Sequence, residues 1–403
     1  MTKPGFKQTE IGEIPEEWEL AKICDKCLII KGRKPQKIYE EQVDGGRPYL
    51  LVEHMSGGQK FFTDDPAVPD CYEQDTLLIM DGSRSGLVFT GYAGAIGSTF
   101  GAVRPKDETV ISRFVYYFLQ TKYELLQTHR TKGAIPHVDK QILRNMLIPL
   151  PPLPEQQKIA SVLSTVDEAI QQTNEVIEQA KQVKKGLMQE LLTRGIGHKK
   201  FKQTEIGEIP EEWETARLTD IANYFNGRAF KPSDWKTKGL PIIRIQNLTD
   251  PQELYNYYDG QVDEENLIQK GDLLFSWSAT LGAFIWHKDT AVLNQHIFKV
   301  IPKSNVYKNF LYYNLFSAIE RLKQRVHGST MRHFRKGELS KIIVPLPPLP
   351  EQQKIAEILS VEDAKIEAEV EKKKQLETLK KGLMQDLLTG RVRFPEFVKG
   401  ANT

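Results

Sequence analysis

The spacing of hydrophobic residues alternates along the chain between two patterns. Short runs rich in β-branched and aromatic residues, bounded by Gly, Pro and Asp, are followed by longer stretches with apolar residues three and four positions apart. The first pattern predicts strands and turns, and the second predicts amphipathic helices. Gln74 to Met80 and Lys270 to Ser276 are examples of predicted strands, and residues 112–127 and 305–324 are predicted helices.

The order of these elements occurs twice, because the chain is an internal repeat with an offset of 195 or 196 residues. FKQTEIGEIPEEWE stands at Phe6 to Glu19 and again at Phe201 to Glu214, and PLPPLPEQQKIA begins at both Pro149 and Pro345. The period is far too long for a solenoid. Between the identical segments lie two dissimilar bodies, so we predict two mixed α/β domains of one ancestry, related by a pseudo-two-fold arrangement.

A long helix is predicted after each proline-rich segment. Pro154 and Pro350 suit a first helical turn, and no proline follows until well past Leu192 or Leu388. A helix of about 38 residues is roughly 57 Å long. Its apolar seam needs a partner, so we predict that the two helices pair as an antiparallel coiled coil. The second interpretation is that each helix packs on its own domain.

The seam and the docking surface on these helices are predicted from the apolar residues and from one glycine in each helix. In each helix the glycine indicates close helix approach or a binding surface, or it is inherited without a role. Val166, Thr173, Val370, Leu376 and Leu379 continue the seam. The residues selected are Ile159, Leu163, Ile170, Gly186, Leu187, Ile355, Leu359, Ile366, Gly382 and Leu383.

Composition changes this picture little. The 403 residues carry a net charge of +2, with 40% hydrophobic and 27% charged residues, so a binder of nucleic acid must rely on local patches. We find no apolar run near 18 residues and no signal peptide, and the three cysteines make no disulfide framework. We therefore expect a cytoplasmic protein.

Motifs of catalysis are missing from the sequence. There is no Asp/Asn-Pro-Pro-aromatic motif of DNA methyltransferases, no phosphate loop, no H-E-x-x-H and no G-x-S-x-G. Cys24 and Cys27 form a single C-x-x-C, which Cys71 does not complete, so we expect free thiols and no metal. We expect no enzyme and no cofactor bound by this chain.

Binding chemistry remains, as basic clusters at matching places in the two bodies. Such clusters suit phosphate contacts, although most charge runs are solvated loops. The basic candidates are Lys31, Arg33, Lys34, Lys37, Arg84, Arg130, Lys132 and His137 in the first body, and Arg228, Arg244, Arg325, Arg332, His333 and Arg335 in the second.

Base reading needs side chains that match the donors and acceptors of base edges, with Arg suited to guanine and Asn or Gln to adenine. Candidates in the first body are Glu53, His54, Asp81, Ser83 and Ser85. In the second body they are Gln246, Asn247, Ser278, Asn294, Gln295 and His296. Trp277 is a further candidate, but core packing is the more common role of such a residue.

Taken together, the doubled EIGEIPEEW and the doubled PLPPLPEQQKIA, each of the latter leading into a long helix, resemble the specificity subunit of type I restriction–modification systems. The resemblance covers nearly the whole chain. It implies two target-recognition domains that read a bipartite DNA sequence, and helices that set the spacer and dock two methyltransferase subunits. Those subunits would bring S-adenosylmethionine, and ATP-dependent restriction subunits, with Mg²⁺, would complete the nuclease.

The predicted domains are a target-recognition domain over 1–148, a central spacer helix over 149–196, a second target-recognition domain over 197–344, a distal spacer helix over 345–392 and a tail over 393–403. Because the bodies differ, the target should be asymmetric, with half-sites about one duplex turn, ~34 Å, apart. Three alternatives stay open: a scaffold that binds only protein, a fused DNA-modifying enzyme, and an RNA-binding protein.

Overall fold

The computed structural model describes residues 5–128, 136–250, 252–278, 280–325 and 336–398. The chain divides into two units, each of which joins one body to parts of both long helices. Unit 1 comprises Met1–Asn174 and Glu371–Thr403, and unit 2 comprises Glu175–Val370. The predicted domain boundaries, which keep each long helix whole, stay a prediction.

The first body, residues 1–148, contains twelve described strands and four short helices. The strands are β1 (Phe6–Thr9), β2 (Gly12–Pro15), β3 (Glu19–Lys22), β4 (Cys27–Lys31), β5 (Arg47–Leu50), β6 (Phe61–Thr63), β7 (Asp70–Cys71), β8 (Thr76–Ile79), β9 (Val88–Phe89), β10 (Gly94–Ile96), β11 (Phe100–Pro105) and β12 (Leu147–Leu150). The helices are α1 (Ile23–Lys26), α2 (Ser112–Gln120), α3 (Tyr123–Thr128) and α4 (Lys140–Asn145).

The long helix α5 (Leu153–Leu191) follows, and the second body, residues 197–344, continues the fold. Its strands, with the one that enters the last helix, are β13 (Phe201–Thr204), β14 (Gly207–Pro210), β15 (Glu214–Arg217), β16 (Ala222–Asn226), β17 (Leu240–Ile243), β18 (Asn256–Tyr258), β19 (Leu267–Ile268), β20 (Leu273–Ser276), β21 (Gly282–Ile285), β22 (Ala291–Leu293), β23 (Ile297–Pro302) and β24 (Ile343–Leu346). Its helices are α6 (Leu218–Ile221), α7 (Ile245–Thr249), α8 (Lys308–Arg325) and α9 (Lys336–Leu339), and α10 (Leu349–Leu387) ends the repeat.

The two bodies share one sheet topology despite their different sequences. The order β4-β11-β8-β9 in the first body matches β16-β23-β20-β21 in the second, and β6-β5-β10-β7 matches β18-β17-β22-β19. The pairs β5–β10 and β17–β22 are parallel, and the other pairs in these sheets are antiparallel. The prediction of two α/β bodies with a common framework is confirmed.

The predicted helices of the two bodies differ in one respect. Residues 305–324 give the single helix α8, whereas residues 112–127 are divided between α2 and α3. The Thr121 amide donates to the carbonyl of Phe118 at 3.0 Å, and the Thr121 hydroxyl donates to the same carbonyl at 2.7 Å. These bonds close a tighter turn at the end of α2, as threonine side chains do when they compete for helical carbonyls.

In each unit the start of one long helix packs against the end of the other. Ile159 and Leu163 of α5 share the core of unit 1 with Leu387 of α10. In unit 2, Ile355 and Leu359 of α10 share a core with Leu191 of α5. Because the start of each long helix contacts the end of the other, α5 and α10 must run in opposite directions. The predicted antiparallel pairing is therefore confirmed.

The predicted seam is only partly buried. Ile159, Leu163 and Thr173 of α5 are at most 2% exposed, but Val370 and Leu379 of α10 are 48% and 51% exposed. The seam prediction is wrong at these two positions, because they face away from the cores of their units. Ile170, Leu187, Ile366 and Leu383 are half-buried.

Gly186 and Gly382 lie on exposed helix surface, and a Cβ added at either would meet no atom within 4 Å. The prediction of close helix approach at these glycines is therefore wrong. A binding surface and inheritance without a role are the interpretations that remain. No helix among the described residues combines the length and apolarity that crossing a lipid bilayer requires.

Candidate functional site

The two repeated motifs contact each other inside unit 1. Trp18, from the EIPEEW segment, is fully buried, and its indole Nε1 donates to Glu155 Oε2 at 3.1 Å. Gln156, the next residue of α5, donates through Nε2 to the carbonyls of Pro151 and Thr109 and accepts from the amide of Ile111. A buried glutamate and glutamine thus tie the proline-rich entry of α5 to the body before it.

Unit 2 repeats this arrangement. Trp213 Nε1 donates to Glu351 Oε2 at 2.8 Å, and Gln352 bonds the carbonyls of Pro347 and Asn305 and the amide of Tyr307. Both motifs are visible in the sequence, but their contact was not predicted. The signal was present, since both motifs are repeated unchanged, at offsets of 195 and 196 residues, which is what two surfaces that pack on each other require.

A second side-chain partner of this glutamate differs between the units. In unit 2 it is His198, whose Nε2 lies 2.8 Å from Glu351 Oε1. In unit 1 it is Arg393, whose Nη2 lies 2.8 Å from Glu155 Oε2 and 3.2 Å from Glu17 Oε2. The hydrogen bond to Glu155 is the main cause that raises the pKa of Arg393. The Arg393 side chain therefore stays positively charged and holds the segment after α10 against Glu155.

A polar triad of Tyr, Asp and Lys joins the long helices in each unit. In unit 1, Asp167 of α5 accepts a bond from the Tyr117 hydroxyl at 2.8 Å, and Lys380 Nζ of α10 lies 2.6 Å from its other oxygen. In unit 2, Asp363 accepts from Tyr313 at 2.8 Å and pairs with Lys184. Burial, with the hydrogen bond to aspartate, raises the pKa of both tyrosines, so both phenols stay protonated donors.

Each unit also carries a concave surface on the end of one long helix, and we call these surfaces the twin clefts. The cleft of unit 1 has a volume of about 850 Å³ and that of unit 2 about 770 Å³. Matching residues line both, at the offset of the repeat. They are Ile11, Ile14, Lys380, Lys381, Met384, Gln385, Leu388 and Thr389 in unit 1 and Ile206, Ile209, Lys184, Lys185, Met188, Gln189, Leu192 and Thr193 in unit 2.

The bodies carry a common feature that we call the Gly–Arg corner, formed by Gly32 and Arg33 in the first body and by Gly227 and Arg228 in the second. A Cβ on Gly32 would lie 2.1 Å from the carbonyl oxygen of Gly97, and one on Gly227 would lie 2.3 Å from that of Asn294. Only glycine permits so close an approach of two backbones. The corner therefore fixes one arginine at the same place in each body.

Most of the basic candidates of the first body lie on the surface. The exposed candidates are Arg33, Lys34, Lys37, Ser83, Arg84 and His137, and the Lys37 ammonium lies 4.6 Å from the Tyr39 ring. Lys31 is the exception, because it is half-buried and its ammonium pairs with Asp81. Its charge is balanced within the body. Ser85 is fully buried, and burial lowers the pKa of half-buried His54.

In the second body the candidates divide between the surface and the framework. Gln246 is exposed, whereas Arg228, Arg244, Asn294, Gln295 and His296 are half-buried and Ser278 is 9% exposed. Asn247 is only 6% exposed, and its amide accepts from the Arg244 amide and donates to the carbonyls of Glu253 and Leu254. We correct the prediction for Asn247, because its side chain holds this loop together instead of facing a ligand.

Other candidates fall outside the described part of the chain. Arg130, Lys132, Arg332, His333 and Arg335 lie outside the described residues, and Arg325 is the last residue of α8. Cys24 is half-buried, and Cys27 and Cys71 are buried. No group of three or more potential metal ligands occurs among the described residues.

A family profile, described as the type I restriction modification DNA specificity domain, matches the chain twice, over residues 15–182 and 210–378. The chain belongs to this family. Each match begins at the last residue of a strand, Pro15 of β2 or Pro210 of β14, and ends within a long helix. The two matches confirm that the repeat is a doubled specificity domain, as the resemblance in the sequence indicates.

Curated relatives agree over the full length. The type I restriction enzyme MjaVIII specificity subunit of Methanocaldococcus jannaschii is 34% identical over 96% of both chains. The putative MjaX specificity subunit of the same organism is 30% identical over 96% of both chains. Both names are those of specificity subunits, and with the family profile they confirm the expectation of a non-catalytic specificity component.

The fold is also that of a solved protein. The crystal structure of the type I restriction–modification S subunit from M. genitalium superposes with a TM-score of 0.59, covering 96% of this chain and 99% of that chain, at 18% identity. At this identity the likeness shows the fold, and it supports two mixed bodies joined by long helices.

Proposed function

We propose that this specificity subunit reads an asymmetric, bipartite DNA target, with one half-site for each body, and docks two methyltransferase subunits. One observation carries the proposal: the repeat keeps its residues at the two ends of each long helix and in the EIPEEW segment, and changes them on the bodies. Surfaces of identical residues suit two copies of one partner, whereas bodies of equal topology and unequal sequence suit two different DNA sequences.

The twin clefts are the proposed docking surfaces. Each presents an accessible isoleucine (Ile11 or Ile206) beside an exposed lysine (Lys381 or Lys185), so the partner segment should carry an apolar residue beside an acidic one. Gly186 and Gly382 stand on the same helix segments and leave the surface open. A solved neighbour, with a TM-score of 0.54 and 17% identity, concerns the complex assembly of a type I system, in keeping with a docking role.

The proposed DNA contacts are the exposed cations and polar residues of the bodies. Arg33, Lys34 and Lys37 suit phosphate oxygens, and Arg228 suits the same role in the second body. Arg130, Lys132, Arg325, Arg332, His333 and Arg335 stay proposed on their charge alone. The long helices, each 39 residues and therefore about 58 Å, are proposed to set the unread spacer.

The chemistry is assigned to partners. We infer that S-adenosylmethionine sits on the methyltransferase subunits, that ATP and Mg²⁺ sit on restriction subunits, and that the assembly acts in the cytoplasm. The test uses a methyl-transfer assay and a gel shift, each with the isolated chain and with the chain plus its methyltransferase. Methyl transfer only in the assembly, with a shift of specific DNA, is expected. Transfer by the isolated chain would favour a fused enzyme, and an assembly without a DNA shift would favour a protein-only scaffold.

A further inference from the structure

One turn occupies the same place in both bodies and differs in chemistry. In the second body it is Asn294–His296, between β22 and β23, and the Trp277 amide donates to the His296 carbonyl at 3.2 Å. In the first body residues 97–99 (Gly-Ser-Thr) connect β10 to β11, and the Met80 amide donates to the Thr99 carbonyl at 2.8 Å. We call these segments the recognition turns.

Each recognition turn lies directly against a Gly–Arg corner. The Arg228 amide donates to the Leu293 carbonyl at 2.8 Å, and the Arg33 amide donates to the Ile96 carbonyl at 3.1 Å. The Arg228 guanidinium also lies 4.5 Å from the centre of the Tyr258 ring and donates to the Gln261 carbonyl. An arginine thus stands next to a turn of variable sequence in each body. This arrangement suits an arginine that contacts a phosphate beside a turn that reads bases.

The recognition turn of the second body holds polar atoms with unused hydrogen-bonding capacity. Gln295 Oε1, His296 Nδ1 and Trp277 Nε1 are buried and meet no hydrogen-bond partner among the described residues. The Trp277 and His296 rings lie 5.4 Å apart, so these groups form one cluster. Burying a polar group without a hydrogen-bond partner destabilises a fold, and native proteins keep few such groups.

The cluster has the chemistry of a base-reading element. A glutamine amide offers one acceptor and one donor in the plane that matches N6 and N7 of adenine in the major groove. Among the described residues, the side-chain amide of Gln295 makes only a 3.4 Å approach of its Nε2 to His296 Nε2, so turning it towards a base sacrifices little.

We propose that Gln295 is a specificity-determining residue that reads an adenine in the half-site of the second body, supported by His296 and Trp277. This inference rests on the proposed DNA-reading function and adds the residue and the class of base. The first body, with Gly, Ser and Thr in its recognition turn, reads its half-site through different groups.

The test compares Gln295→Met and Gln295→Glu with the control Gln252→Met, which changes an exposed glutamine of the same body. Each variant is assembled with its methyltransferase subunit and bound to duplexes in which every base pair of the target is replaced in turn. Loss of a bidentate contact should cut discrimination at one A·T pair by roughly 5- to 150-fold. Gln295→Glu should shift the preference there towards cytosine, whose N4 donates to a carboxylate.

Thermal melting separates recognition from structure. Gln295→Met removes an unpaired buried oxygen and keeps the volume, so its melting temperature should equal or exceed that of the parent chain. An unchanged discrimination profile, a uniform loss at every position, or a lowered melting temperature would each overturn the assignment of Gln295. Failure of the proposed function is visible separately, because the unaltered assembly would then show no sequence preference at all.

Discussion

Replacement of Asp167 by alanine tests the pairing of the long helices in unit 1. The carboxylate of Asp167 accepts a hydrogen bond from Tyr117 and pairs with Lys380 of the opposing helix. Its loss leaves a lysine side chain that is only 16% exposed without its counter-charge. We expect the ends of α5 and α10 in unit 1 to open more readily, while the equivalent helix ends in unit 2 keep their protection.

The size of the effect follows from the surroundings of the triad. A hydrogen bond to a charged group contributes about 1.5–3 kcal/mol, and a solvent-exposed ion pair contributes about 0–1 kcal/mol. The Asp167 side chain is 32% exposed, so the contribution of its pair with Lys380 should lie between the two values. We therefore expect the free energy of opening these helix ends to fall by about 2 kcal/mol, equivalent to roughly thirty-fold faster exchange where the opening equilibrium sets the exchange rate.

Peptide-resolved hydrogen exchange measures this directly. Amides of residues 159–170 and 376–388 should exchange faster in Asp167→Ala, and the control Glu168→Ala, which changes the exposed neighbouring carboxylate, should exchange like the parent. Faster exchange confined to α2, with α10 unchanged, would show that Asp167 holds only the body and would refute its role in helix pairing.

Three further predictions concern the clefts, the thiols and the spacer. Lys185→Glu or Lys381→Glu, each at an exposed position of one cleft, should reduce the methyltransferase bound from two copies to one, measured by native mass spectrometry; an undiminished complex would rule out the clefts. Burial raises the pKa of Cys27 and Cys71 to about 12. Both should therefore stay protonated and unreactive at pH 8 while half-buried Cys24 is alkylated first, as peptide mass spectrometry will show; equal labelling of all three would contradict this. One heptad added to both long helices should lengthen the spacer between methylated half-sites. An unaltered spacer would refute the proposal that the helices set its length.

The repeat made the architecture predictable from sequence. Identical segments at a constant offset require equivalent structures, and an unbroken stretch without proline after PLPPLP indicates a long helix. The same reasoning could not identify which apolar positions are covered. Val370 and Leu379 fit the heptad spacing as well as Leu359 does, yet they are exposed, because burial depends on where each body ends and not on the periodicity of the helix.

The candidate site was predictable in its chemistry and less so in its individual residues. Asn247 and Gln295 have the same functional group, and spacing along the chain does not distinguish them. The fold separates them: the Asn247 amide closes its own loop, whereas Gln295 Oε1 has no partner among the described residues. Likewise Lys31 and Arg33 are near neighbours in one basic run, but only Lys31 reaches the carboxylate of Asp81.

The central claim is that two unlike bodies read two unlike half-sites of one DNA target. Genome-wide mapping of methylated adenine, in cells that contain the methyltransferase subunit with and without this chain, tests it most directly. The account predicts that methylation depends on the chain and falls on a non-palindromic motif, split by a constant stretch of unread bases. Methylation that persists without the chain, or a motif that is palindromic or uninterrupted, would contradict it.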